Sequence, residues 1–240
     1  ELFRSLVAVV GRVITSVVLY RWLSGDCPVI MNTFHGAGDR SGGYKGVAGF
    51  DYHLVPGRKY LSRMLAQGLA HEGNCAIVGY MKFDQLRRSP VRKLFDNDRP
   101  TVLYAPHFDP AFSSWYGNWG RAIIDFFADS NEYNLVFAPH VLLYRRRWHI
   151  STEGGLPRRT PVVPEKAERA DDILVDRGSR ASIDMTYTRA ADIYLGDVSS
   201  LVYEFLVEPR PCIFVNRRGV QWCDNENFRF WRTGEVIESA

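Results

Sequence analysis

A length of 240 residues accommodates one large α/β domain or two small ones. Hydrophobic residues at 46% against 24% charged exclude a disordered chain. The net charge of +3 is too mild to imply a nucleic-acid partner, while it fits phosphorylated or anionic partners near a membrane surface.

Residues 2–23 are largely apolar, but Arg4, Arg12 and Arg21 interrupt them, so no uninterrupted run reaches the roughly 20 residues a membrane span needs. A buried or interfacial helix is expected there, with peripheral rather than integral membrane association. Residues 28–34 (PVIMNTF) read as a buried strand. It leads into a glycine-rich loop, His35-Gly36-Ala37-Gly38-Asp39-Arg40-Ser41-Gly42-Gly43. Open α/β sheets hold ligands at such strand ends. The loop is neither a G-x-G-x-x-G fingerprint nor a P-loop. His35 is its notable residue, an imidazole with a pKa of about 6.5 in free solution.

A second strand is expected at 52–55. A helix follows at 59–70, with Tyr60, Met64, Leu65 and Leu69 at helical spacing, then a third strand at 75–78 followed by Gly79-Tyr80-Met81-Lys82-Phe83-Asp84. The Arg-rich segment 87–100, bracketed by prolines, reads as a linker. It divides an N-terminal lobe, 1–95, from a C-terminal lobe, 96–240. The second lobe opens with a strand at 101–105 and the turn Pro106-His107-Phe108-Asp109-Pro110. An amphipathic helix at 115–129 and a strand at 134–138 ending at Pro139-His140 come next. Arg145, Arg146 and Arg147 form a basic triplet. Such triplets are ordinarily solvated, but beside His140 this one can attract a phosphate or an anionic acceptor. Residues 151–168 read as a long irregular surface loop that moves. A strand at 173–175 and a helix at 179–190 follow. The aromatic tail 228–231 reads as packing. Cys27, Cys75, Cys212 and Cys223 contain no C-x-x-C pair, so neither zinc nor a disulfide framework is expected, and a reducing, cytoplasmic compartment is.

The rest of the chain is organised around 191–216, ADIYLGDVSSLVYEFLVEPRPCIFVN. A strand at 192–195 breaks at Gly196, Asp197 and Ser199-Ser200. A helix over 200–207 stops before Pro209 and Pro211, and a second strand covers 212–215. A turn of this kind leaves backbone N–H groups at a strand's carboxyl end, where a diphosphate can be held without a metal. Glu204 falls four residues after Ser200, about 6 Å along a helix axis, in reach of a ribose diol. The competing reading makes Ser199 a helix cap and Glu204 a solvated surface residue.

Five pieces in order over 30–216 resemble the CDP-glycerol glycerophosphotransferase family, the teichoic-acid polymerases and primases. His35-Gly36-Ala37-Gly38-Asp39-Arg40 is similar to its His-Gly motif, and Asp51-Tyr52-His53-Leu54-Val55 to the strand after it. Gly79-Tyr80-Met81-Lys82-Phe83-Asp84 is similar to its Gly-x-Pro-Arg-x-Asp, with Met81 in the proline's place. Tyr104-Ala105-Pro106 begins its second-lobe signature, in which His107-Phe108-Asp109 stands where the family has Thr-x-Arg. The stretch from Ala191-Asp192 to Pro211 is similar to its Asp-x-Ser-Ser motif. The resemblance implies an α/β, GT-B-like fold of two Rossmann-like lobes with parallel sheets facing a cleft. It implies an acceptor-side N-terminal lobe and a donor-binding C-terminal lobe. His35 is then the general base, and His140 stabilises negative charge on the transferred or departing group. Ser199, Ser200, Glu204, Asp197, Pro106 and His107 hold the donor, and Arg40 and Arg145 assist with phosphate or acceptor. The expected donor is nucleotide-linked, with no cofactor or metal, and the acceptor is an envelope polymer or a lipid-linked chain. A UDP-sugar 2-epimerase and a non-catalytic nucleotide- or polymer-binding module are the alternatives.

Overall fold

The structure, a computed structural model, describes residues 29–34, 36, 38, 47, 49–87, 90–151 and 153–238. His35, Arg40 and the helix expected over 2–23 lie outside the described residues. The chain divides into two compact units, Glu1–Arg87 and Arg88–Ala240.

In the first unit, β1 (Met31–Thr33), β2 (Tyr52–Val55) and β3 (Cys75–Ile77) form a parallel sheet in the order β1-β2-β3. Helix α1 (Arg58–Ala66) presents Tyr60 and Met64 to Val55 and Val47. It ends four residues before the expected 70, because Gly68 takes φ +65. L side chains rarely adopt that conformation, and it stops a helix. The Tyr60 hydroxyl donates to the carbonyl of Gly36 or Gly38, each 2.9 Å away, tying the glycine-rich segment to this helix.

The second unit is built on a six-stranded parallel sheet. Its strands are β4 (Thr101–Ala105), β5 (Asn134–Phe137), β8 (Ile173–Val175), β9 (Ile193–Gly196), β10 (Cys212–Val215) and β11 (Glu235–Ile237), in spatial order β11-β10-β9-β4-β5-β8. Successive side chains alternate between faces. Leu103, Val136, Tyr194 and Phe214 meet α4 (Thr186–Ala190), α5 (Leu201–Phe205) and the 3-10 segment Glu226–Thr233 through Tyr187, Val202, Phe205 and Trp231. Val102, Tyr104, Leu135 and Phe137 meet α2 (Asn118–Asp129) and α3 (Glu165–Arg169) through Ile123, Ile124, Phe127 and Ala167. Coverage on both faces is why these strands read as continuous apolar runs. Each large side chain so buried contributes about 1.5–3 kcal/mol.

Three further expectations are corrected. The helix expected over 115–129 begins at Asn118, because Gly117 at φ +80 breaks the chain before it. The helix expected over 179–190 is a 3-10 turn, Arg180–Ser182, followed by α4. Between them Met185 takes a left-handed φ of 67, and the Asp184 carboxylate accepts the Thr186 N–H and hydroxyl to restart the chain. The stretch 151–168 is not wholly irregular. β6 (Trp148–His149) pairs antiparallel with β7 (Arg158–Arg159), and α3 closes the segment. The tail past 216 carries an edge strand, β11, seated against β10 where Gly234 leaves no side chain: a Cβ there would lie 2.2 Å from the Cys212 carbonyl oxygen.

Candidate active site

Numbered within the second unit, the strand order is 3-2-1-4-5-6, with the reversal between β4 and β9. The helices that follow these two strands, α2 and α5, pack on opposite faces of the sheet, and it is at such a point that doubly wound sheets bind ligands. Asp197, one residue past β9, braces this point. It is fully buried, and its Oδ2 accepts the backbone N–H groups of His107 and Ser114, both at 2.9 Å. The loop after β4 is thereby tied to the loop after β9. Burial pushes the Asp197 carboxyl up to about 6, opposed by those hydrogen bonds and by the nearby Arg217 charge. Its Oδ1 is buried with no hydrogen-bond partner among the described residues.

Two imidazoles stand on adjacent strand ends. Pro106-His107 follows β4 and Pro139-His140 follows β5, and the His140 N–H donates to the Pro106 carbonyl at 2.9 Å. The His107 Nδ1 accepts from the Asp109 N–H at 3.0 Å, and the His140 Nδ1 accepts from the Leu142 N–H at 3.2 Å. Each contact puts the proton of the neutral ring on Nε2, which makes both rings hydrogen-bond donors at that atom. The ring centroids are 5.4 Å apart, and Phe108 packs against both. His149, which had no role from sequence, is buried, lies 5.9 Å from Phe108 and bonds through Nε2 to the Leu143 carbonyl.

On the far side of the switch point, the Ser199 hydroxyl accepts from the Leu201 N–H at 3.2 Å, a local turn bond one residue ahead of the N-cap position of α5, so Ser199 is not the cap that the competing reading makes it. The other half of that reading fails as well: Glu204 is only 3% exposed and is not a solvated surface group. Ser200 is the N-cap residue of α5 but makes no capping side-chain bond. The helix expected over 200–207 is α5, five residues long, so the turn offers backbone amides and hydroxyls more than a summed helix dipole. The Tyr194 hydroxyl is buried beneath this turn. Burial, with the Asp197 carboxylate a further cause, pushes it far above the usual phenol range. Gly196 makes its room, since a Cβ there would lie 2.5 Å from that oxygen.

Sequence reasoning missed Arg217. It is half-buried at the end of β10, where it donates to the carbonyls of Pro110 and Tyr116 and holds the outer rim of the β4 loop. Burial lowers its pKa, opposed first by Asp197. The signal was present only as a basic pair after an apolar strand. Arg145, by contrast, is exposed at the start of the segment leading to β6.

In the first unit the carboxyl ends of β1, β2 and β3 frame a cavity of about 290 Å³. It is lined by Phe34, Leu54, Pro56, Val78, Gly79, Tyr80, Met81 and Lys82, so four of the six residues of the Gly79–Asp84 motif form one wall.

No protein-family model and no curated protein matches the chain. Solved structures do. The wall teichoic acid polymerase TagF superposes with a TM-score of 0.51 at 13% identity over 79% of this chain and 50% of its own. S. aureus MnaA, determined with UDP, gives 0.51 at 13% over 84% and 61%. The UDP-GlcNAc 2-epimerase of Methanocaldococcus jannaschii gives 0.52 at 12% over 94% and 63%. The chain therefore spans about half to three-fifths of the length of these proteins, and at such identities the likeness is one of fold. The fold is α/β and GT-B-like, with Rossmann-like parallel sheets.

Proposed function

We propose that the chain is a nucleotide-diphosphate-dependent transferase that moves a glycerophosphate or glycosyl group from a CDP-glycerol-like donor to an envelope polymer or lipid-linked acceptor, working peripherally at a membrane. The observation that carries this reading is the switch point itself. Asp197 bridges the β4 and β9 loops there, between two Nε2–H imidazoles on one side and the Ser199-Ser200 turn with buried Glu204 on the other. His107 and His140 suit the anionic oxygens of a departing nucleotide. One such donor accounts for about 10²- to 10³-fold in kcat. Transfer joins the acceptor hydroxyl oxygen to phosphorus or to the anomeric carbon. The bond to the nucleotide oxygen breaks, and the hydroxyl proton passes to a base, a role the family resemblance gives to His35. The reaction needs no cofactor in this scheme.

Calorimetry with CDP-glycerol and UDP-N-acetylglucosamine, together with turnover by His140→Asn, tests the reading. Donor binding with turnover reduced at least about 100-fold is expected. Absence of binding by any CDP- or UDP-linked donor, with full activity in His35→Ala, overturns it. A second reading is a UDP-sugar 2-epimerase, favoured by the greater share of this chain that the epimerase from Methanocaldococcus jannaschii covers, 94% against 79% for TagF. Formation of an epimer from UDP-N-acetylglucosamine without any acceptor decides for it.

A further inference from the structure

The β6–β7 hairpin carries a surface that the switch-point site does not use. Trp148 is 55% exposed, Ile150 64%, Leu156 84% and Val162 77%. Of the eight large hydrophobic side chains exposed among the described residues of the second unit, these four fall within fifteen residues of sequence, on the hairpin and its flanks. The same stretch, 145–162, contains Arg145, Arg146, Arg147, Arg158 and Arg159, all exposed, against one acid. That acid, Glu153, lies 2.6 Å from the Arg218 guanidinium, so its charge is offset.

The exposure does not come from a loose segment. The Thr160 N–H donates to the Arg147 carbonyl at 2.9 Å and its hydroxyl to the Arg146 carbonyl at 2.7 Å. Trp115 and Tyr144 both donate to the Pro161 carbonyl, and His149 turns inward. Trp148 and Ile150 therefore point outward by strand alternation, and Trp148 sits directly opposite Arg159. At the tip Gly154 and Gly155, at φ +88 and +105, turn the chain just before Leu156.

We infer that this hairpin is a docking surface for an anionic lipid bilayer, with Trp148, Ile150, Leu156 and Val162 entering the interface and the arginines meeting headgroup phosphates. Tryptophan favours the headgroup level, arginine lays its apolar stem along the interface while its head stays at the phosphates, and a basic cluster adds attraction to acidic lipid. A soluble polyanion would engage the arginines but has no use for four exposed apolar side chains, which favours the bilayer. The inference rests on the peripheral membrane placement proposed above and gives it a surface; vesicle binding is read without donor or acceptor, so its failure leaves the transfer chemistry standing.

Co-sedimentation of the full chain with vesicles of phosphatidylcholine, with and without phosphatidylglycerol, tests it. Binding is expected only with the acidic lipid and weakens with salt. Arg146→Gln with Arg159→Gln lowers partitioning about 30-fold. Trp148→Ser with Leu156→Ser lowers it at least about tenfold while leaving the unfolding midpoint unchanged. If the Trp148 variant does not fold, Leu156→Ser at the exposed tip carries the same test. Wild-type protein that does not sediment with acidic vesicles overturns the inference. So do variants that bind them as wild type does, since docking then lies elsewhere. Apolar variants that bind vesicles and heparin as wild type does make the surface a polyanion site instead.

Discussion

Asp197 combines a titratable group with a mechanical role, and the two make opposite demands. Its Oδ2 needs to accept two N–H bonds, yet full burial raises its pKa from the ordinary carboxylate range to about 6. A carboxyl whose folded pKa lies above its unfolded value is easier to protonate in the fold. Its contribution is thus most favourable at low pH and declines as pH rises from about 3.8 through about 6. An amide in its place accepts the same two bonds without the charge. Thermal unfolding across that window should show Asp197→Asn gaining on wild type as pH rises, by on the order of 3 kcal/mol. Asp197→Ala should lose the brace and unfold earlier at every pH. A difference between Asn variant and wild type that does not change with pH counts against this account. His53 behaves in the opposite sense. It is buried on β2 with neither ring nitrogen hydrogen-bonded among the described residues, and burial, then the nearby His71, lowers its pKa. A neutral buried imidazole keeps its full contribution above about pH 6.5 and loses it as the unfolded chain takes up a proton below that. Acid unfolding of the first unit should therefore shift to lower pH in His53→Leu, read by circular dichroism.

At the scale of elements, Arg210 joins two helices that are each too short to be stable alone. Its guanidinium donates to the carbonyls of Thr188, Arg189 and Ala191 at the end of α4 and of Phe205 at the end of α5, and it stacks 4.0 Å over the Phe205 ring. These are carbonyls that helix termini otherwise leave without an intrahelical partner. Arg210→Met should cost about 2–4 kcal/mol in denaturant unfolding, because the carbonyls stay buried with no donor. Arg210→Lys should recover only part of that, since an ammonium does not reproduce the planar fork. β11 depends on Gly234 in a different way. Gly234→Ala drives a methyl into the backbone of β10, so amide exchange should speed up across 213–215 and 235–237 while the β4–β9 ladder stays protected.

For the whole molecule, the second unit has its own sheet, covered on both faces. Residues 88–240 expressed alone should unfold cooperatively in thermal denaturation. A fragment that is molten by near-ultraviolet circular dichroism contradicts this. Residues 97–99 belong to this unit: Asn97 and Asn134 exchange side-chain hydrogen bonds, and the Asn134 amide also reaches the Arg99 carbonyl. The Pro-bracketed segment read as a linker thus ends in residues that seat the amino end of β5.

The sequence alone determined the core strands β2, β4, β5, β8, β9 and β10. Strands buried on both faces, as β4, β5, β9 and β10 are, must be apolar along their length, and their ends carry glycine, proline or polar residues. The same logic put His107, His140 and Ser199 at strand ends. Only tertiary structure decided that Asp197 spans two loops 83 to 90 residues apart in sequence, that Glu204 is buried, and that Arg210 and Arg217 work through backbone carbonyls. Each depends on a partner distant in sequence, and local composition carries no record of such a partner. The pleat of β6 and β7 was hidden for a related reason: two-residue strands show no periodicity, and only their pairing reveals which side chains face out.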